Sequence, residues 1–188
     1  MKNRFPLIAA TALACAVPLL ALAHDDDHHH DSPDLRVRLE GYQETPSIST
    51  AARASFRADV DASSKAIRWR LSYADLEGDV QQAHIHFAQR GVAGGISVFL
   101  CTNLGNGPAG TPACPGPRSG TLTGTITPAD VSPNIPATLA AIGQGLGTGE
   151  FDEFLRALRN EALYVNVHST RWPSGEVRAQ LGEDPKGH

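Results

Sequence analysis

Strict alternation of apolar and polar residues runs through most of this chain. Ala52, Ala54, Phe56, Ala58 and Val60 fall on one side, with Arg53, Ser55, Arg57 and Asp59 on the other. Ile67, Trp69, Leu71 and Tyr73 repeat the pattern against Arg68, Arg70 and Ser72, as do Val177, Ala179 and Leu181 against Glu176, Arg178 and Gln180. A period of two predicts half-buried strands. The polar run 61–65 joins the first two as a tight hairpin. Further strands fit 35–40, 82–87, 95–101, 119–126 and 163–168. In contrast, Phe151, Phe154, Leu155 and Leu158 follow helical spacing, which predicts one short amphipathic helix over 152–161. Residues 132–149, rich in Gly, Pro and Ala, read as a long connection. The expected fold is all-β: an antiparallel, Greek-key-like sandwich or flattened barrel with that single helix.

Composition agrees and narrows the function classes. With 188 residues, 41% of them apolar, the chain is long enough for one domain with a real core. Its 18 Gly and 13 Pro argue against a helical bundle. A formal charge of −4 argues against a nucleic-acid partner. Aromatic residues at 6% are too few for a platform that stacks sugars or bases. Arg53, Arg57, Arg68 and Arg70 form a small basic stripe, for which a solvated sheet face with partner acids is the expected account.

The first residues have the form of a secretory signal. Lys2 and Arg4 precede an apolar run, and Ala21-Leu22-Ala23 is a cleavage site of the A-x-A type. The expected organisation is a signal peptide over 1–23, a His/Asp-rich arm over 24–33, a β domain over 34–182 and a polar tail over 183–188. Cleavage removes two cations and no acid, so the exported chain is more acidic than the whole and keeps no membrane span. It also discards Cys15, leaving Cys101 and Cys114. In a periplasmic or secreted protein these two are expected to form a disulfide closing a Gly/Pro-rich loop, worth roughly 3 kcal/mol.

The chemistry lies in the histidines. Of the eight, His24, His28, His29 and His30 are in the arm and His188 is terminal. The body holds His84, His86 and His168. In His84-Ile85-His86 both imidazoles leave the same strand face, with Cα atoms about 6.6 Å apart. In the 164–168 strand Tyr164, Asn166 and His168 share one face while Val165 and Val167 enter the core. If the two strands pair, three imidazoles meet. Three neutral nitrogens with an open fourth position suit copper first and zinc second. Glu176, Asn166 and Tyr164 are candidates for a fourth ligand or for supporting hydrogen bonds. The arm histidines form an accessory, looser metal feature, and His24 as the new amino terminus can clasp copper with its α-amine; a solvated acidic tail is the competing account. No Gly-rich phosphate loop or G-x-S-x-G elbow is present, so neither an organic cofactor nor a catalytic residue is expected.

The motifs Leu39-Glu40-Gly41-Tyr42-Gln43-Glu44-Thr45-Pro46, Ala83-His84-Ile85-His86, Tyr164-Val165-Asn166-Val167-His168 and Ser174-Gly175-Glu176-Val177-Arg178-Ala179-Gln180-Leu181 occur in that order. In this the chain resembles the CHRD domain, a module named after its repeats in chordin and found alone in exported bacterial proteins. The resemblance spans about 35–181 and implies an extracellular β-rich domain without an agreed reaction. It places His84, His86, Asn166, His168, Gly175, Glu176 and Arg178 at motif positions, with Glu176 and Arg178 as an alternative structural ion pair. A looser, fold-level likeness is to copper-zinc superoxide dismutase, though three body histidines cannot supply its two-metal bridged site. Three functions follow as expectations: a metal-binding module for buffering or structural use, a copper-dependent redox activity of the dismutase kind, or an extracellular protein-interaction module whose histidines are structural.

Overall fold

The computed structural model describes residues 34–182. The signal segment, the arm with His24, His28, His29 and His30, and the tail with His188 lie outside the described residues. Eight strands form in the order expected: β1 (Asp34–Glu40), β2 (Arg53–Asp61), β3 (Ala66–Ala74), β4 (Val80–Phe87), β5 (Gly95–Thr102), β6 (Gly120–Ile126), β7 (Leu163–Ser169) and β8 (Val177–Leu181). They make one sheet in the order β5-β4-β7-β8-β1-β2-β3-β6, and all its pairs are antiparallel. Consecutive strands pair in β1–β2–β3, β4–β5 and β7–β8, while β3–β6 and β4–β7 need longer connections. The sheet curls into a nearly closed barrel. Its edge strands β5 and β6 face each other across a cavity of about 220 Å³, with the segment 108–112 on its rim.

Local chemistry accounts for the elements. In the 61–65 turn the Asp61 carboxylate accepts hydrogen bonds from Ser63 N, Ser63 Oγ and Ser64 N at 3.1, 2.7 and 3.1 Å. Lys65 closes the turn at φ 51°. The inward positions of the strands, including Leu39, Phe56, Leu71, Ile85, Leu100, Val165 and Val167, are buried in a single core. Phe56 and Trp69 stack there, their ring centroids 6.3 Å apart. The expected disulfide is present between Cys101 and Cys114, and Cys114 N donates to Asn103 Oδ1 at 3.0 Å.

The helical content is greater than one helix. The amphipathic helix spans Phe151–Arg159, with Asp152 and Glu153 in its first turn and Arg156 and Arg159 in its last, as the helix dipole favours. The 132–149 connection also contains a short helix, Leu139–Gly143. Its composition gave no sign of it, because its stability comes from docking. A side chain at Gly95 would collide with the backbone of Ala140 and Ala141, so glycine there lets this helix lie against β5.

Candidate metal centre

The outward positions of β4, β7 and β8 build the site. The register sets His84 opposite Asn166, His86 opposite Tyr164 and Gln82 opposite His168. His84 and His168 therefore meet on a diagonal, with Asn166 beside both. The two register shifts between β4 and β5 do not separate the pair: the rings of His84 and His86 stay on one face, centroids 5.4 Å apart. One ring nitrogen from each of His84, His86 and His168 lies within 4.8 Å of the others. The three imidazoles that alternation placed on one face converge.

This face points away from the core, yet it is not wet. His84, His86 and His168 are 0%, 7% and 5% exposed. Loops cover them and also orient them. His86 Nδ1–H donates to the Gly94 carbonyl at 2.9 Å, and His168 Nδ1–H donates to the Pro173 carbonyl at 2.9 Å. Tyr164 stacks flat on His86 at 4.6 Å, and its hydroxyl accepts from Gly94 N at 3.3 Å. Phe99 of β5 meets the His84 ring edge to face at 4.5 Å.

The protonation states follow from burial. Burial holds His86 down at about 3 and His168 down at about 4. His84 is pushed well below its usual range, by burial first and then by the two neighbouring imidazoles. All three are neutral at physiological pH, the form that ligates metals. With Nδ1–H of His86 and His168 already committed to carbonyls, each Nε2 carries a bare lone pair. His86 Nε2 and His84 Nε2 are buried with no hydrogen-bond partner. His168 Nε2 lies 3.0 Å from Asn166 Oδ1 and 3.2 Å from His84 Nδ1. Asn166 Nδ2 packs toward the Glu44 carboxyl and favours its ionised form, while its oxygen faces His168. Two acceptors, a bare imidazole nitrogen and an amide oxygen, thus face each other in a dry place. A cation between them resolves that conflict: donors about 2.0–2.2 Å from one first-row ion stand roughly 3 Å apart.

Glu44 and Arg178 complete the surroundings. Glu44 is buried, and burial raises its carboxyl to about 7 against the lowering effects of Arg178 and Asn166. Gly175, at φ +130°, leaves the room for this packing; a Cβ there would press on the Glu44 carboxyl and on Asn166 Nδ2. The Arg178 guanidinium lies over the Tyr164 ring at 3.4 Å and donates to Thr45 Oγ1, Val92 O and Gln89 O at 3.3, 2.9 and 3.4 Å. It clamps the 41–46 and 88–94 loops onto the site.

Glu176 is placed elsewhere. Its Oε1 accepts from Thr50 Oγ1 at 2.9 Å and Glu77 N at 2.8 Å, tying two loops together, and it is not in the convergent group. Nor does it pair with Arg178. Asn166 and Tyr164 do stand at the histidines, as an oxygen donor and a stacking ring. Sequence reasoning had not singled out Glu44, although the 39–46 motif contains it.

Comparison with known proteins places this arrangement. The sequence model of the CHRD domain matches residues 35–181, from the first strand to the last and across every residue of the site. Short local similarity also occurs to the ATP-sensitive inward rectifier potassium channel 11 of Oryctolagus cuniculus, Homo sapiens and Mus musculus, each 44% identical over 54 residues. That similarity covers 29% of this chain and 14% of each channel. Among the described residues no helix is long and apolar enough to cross a membrane. No solved structure matches. CHRD domains are extracellular, and the Cys101–Cys114 disulfide suits that setting. The matched span covers most of the chain, and the chain belongs to the CHRD domain family.

Proposed function

We propose that this protein is an exported, periplasmic or secreted, metal-binding module in which His84, His86 and His168 hold one transition-metal ion, with Asn166 Oδ1 as a fourth donor. One observation supports the reading: three neutral imidazoles converge in a dry pocket, where Nε2 of His84 and Nε2 of His86 are buried without a hydrogen-bond partner and an amide oxygen faces Nε2 of His168. The donor set is nitrogen-rich with one neutral oxygen and no thiolate. That favours copper over zinc by the usual order of divalent affinities, and disfavours calcium or magnesium. Backbone carbonyls on the far nitrogens of His86 and His168 fix their tautomers and raise their basicity, as supporting hydrogen bonds do at metal-binding histidines. Burial of all three rings beneath loops supports holding an ion for buffering or for structural use over turning over a substrate.

The test is titration of the metal-free protein with copper and then zinc at neutral pH, by calorimetry and, for copper, by electron paramagnetic resonance. One tight equivalent with nitrogen coupling is expected, lost in His84→Ala and in His168→Ala. Looser binding by the arm persists in both variants. Uptake unchanged in His84→Ala would end the proposal.

A further inference from the structure

Three segments cover the imidazoles, and they are held in different ways. The 41–46 segment is folded back on itself: Glu44 N and Ile48 N both donate to Gly41 O, at 3.0 and 2.8 Å. The 170–175 segment is tied to the body. Thr170 N donates to Asp79 O and Glu176 N to Val167 O, both at 2.8 Å. Glu77 accepts from Arg171 Nε at 2.8 Å and from Trp172 Nε1 at 3.1 Å. The 88–94 segment, which joins β4 to β5, has no such backbone tie. Among the described residues its one loop backbone bond, Val92 N to Gln89 O at 3.2 Å, is internal.

Side chains reaching up from the sheet hold it instead. Gln180 Nε2 donates to Ala88 O at 2.9 Å, and Arg178 donates to Gln89 O and Val92 O. His86 Nδ1–H donates to Gly94 O, and Gly94 N donates to the Tyr164 hydroxyl. Apolar anchoring is slight, since residues 89–93 are all exposed, Val92 among them. The turn needs Gly91 at φ +75°, where an added Cβ would touch nothing. Few buried apolar contacts and a run of exposed backbone mark the elements of a fold that open first.

We infer that 88–94 is the lid of the metal centre and that ions enter and leave by its opening, an inference that rests on the metal-binding reading above. Closure also sets a tautomer. With the lid shut, the Gly94 carbonyl keeps the proton on His86 Nδ1 and leaves Nε2 free to ligate. With the lid open, that carbonyl is withdrawn and the tautomer is no longer fixed. Opening therefore uncovers the ion and loosens one of its ligands together, and closing restores both. Gly91 gives a way to shift this balance without touching the site. A methyl group there meets no neighbour, so Gly91→Ala strains only the closed turn, and the open segment relaxes the strain. When opening is fast and precedes ion movement, entry and release speed up by the same factor and affinity holds.

The experiment follows copper(II) uptake by the metal-free protein, and its release to excess chelator, by stopped flow in the phase that His84→Ala removes. Gly91→Ala should speed both by about fivefold or more, with a dissociation constant within about twofold of wild type. Two controls should exchange ions as wild type does. Gly105→Ala puts the same left-handed strain, at φ +68°, into the disulfide-closed loop, and Arg171→Gln unties 170–175 from Glu77. In parallel, acylation of the imidazoles by diethyl pyrocarbonate is followed by mass spectrometry on metal-free protein with chelator present. Its rate at His86 should rise in Gly91→Ala by the same factor as ion exchange. Wild-type ion rates in Gly91→Ala, or an equal rise in either control, overturn the lid. Absence of any His84-dependent uptake ends the metal-binding reading instead, and the acylation rates then decide the lid alone: no rise in Gly91→Ala overturns it.

Discussion

Across β4, β7 and β8 the outward positions hold His84, His86, Tyr164, Asn166, His168, Arg178 and Gln180, all of them buried. Across β1, β2 and β3 they include Arg36, Arg38, Arg57, Arg68 and Arg70, with Glu40 and Asp59 among them, all of them exposed. Both sets follow the same alternation on the same sheet, so strand periodicity is not what separates them. Loops do: the segments 41–46, 88–94 and 170–175 close over the first face and leave the second bare. Under cover, each polar atom needs a partner or a cation, because an unpaired one costs about 1–3 kcal/mol. In water, arginines can crowd with little penalty. The buried face is therefore specified group by group, and the open face is specified only by charge.

The most severe way to break the covered face is Arg178→Ala. Arg178 is 2% exposed and joins both loops to Tyr164. Its removal also leaves the Glu44 carboxyl without its neighbouring cation. The expected loss is about 3–5 kcal/mol in denaturant unfolding, the range for breaking a buried charged network. Amide hydrogen exchange should rise first in 88–94 and 41–46. A loss below about 1 kcal/mol would mean that the loops are held by something else.

Acid tests the same face through its histidines. Unfolded, His86 and His168 take up protons near 6.5; folded, they resist until about 3 and about 4. Between those values the unfolded state binds more protons, so stability present above pH 6.5 is lost as pH falls. By pH 4 each histidine removes on the order of 3 kcal/mol. Glu44 acts in the opposite sense: folded it keeps its proton up to about 7, against 4.5 unfolded, so it restores stability over the same descent, also by about 3 kcal/mol. These three groups alone take a net ~3 kcal/mol from the metal-free protein between pH 7 and 4, and His84, held well below its usual range, adds to the loss. Glu44→Gln should make the decline steeper. Denaturant midpoints across pH, with chelator present, check both, and a flat profile would show that water reaches the imidazoles.

How far these features could be read from sequence divides along the same line. Alternation located all eight strands and put His84, His86 and His168 on one side, because a two-residue period is local. Coverage is not local. Thr45 and Arg178 are 133 residues apart, and the role of Glu44 depends on a packing with Gly175 that no spacing reveals. Glu176 was misplaced for a related reason: the backbone turns at Gly175, so the polar side of the last strand does not extend to residue 176. The short 139–143 helix was missed because it is held by docking on β5, and its sequence alone favours a loop. On the open face the arginines were legible, but which of them would meet an acid was not, since that depends on which strands become neighbours.

The gentlest change sharpens the comparison from the other side. Arg57 has Arg36 and Arg70 directly opposite and Arg38 and Arg68 on its diagonals. Replacing it with Gln keeps a long polar side chain and removes the central charge. Cross-strand pairs are worth roughly 0.2–1 kcal/mol each, with like charges unfavourable, and screening in water keeps the sum small. Arg57→Gln should raise stability by about 0.5 kcal/mol at low salt, and the gain should vanish near 1 M salt, where the Debye length is about 3 Å. Thermal unfolding at both ionic strengths measures it. A destabilised variant would mean that Arg57 has a hidden partner and that the open face is structural after all. A salt-sensitive gain means that this protein keeps, in its exposed half, a charge arrangement its own fold disfavours.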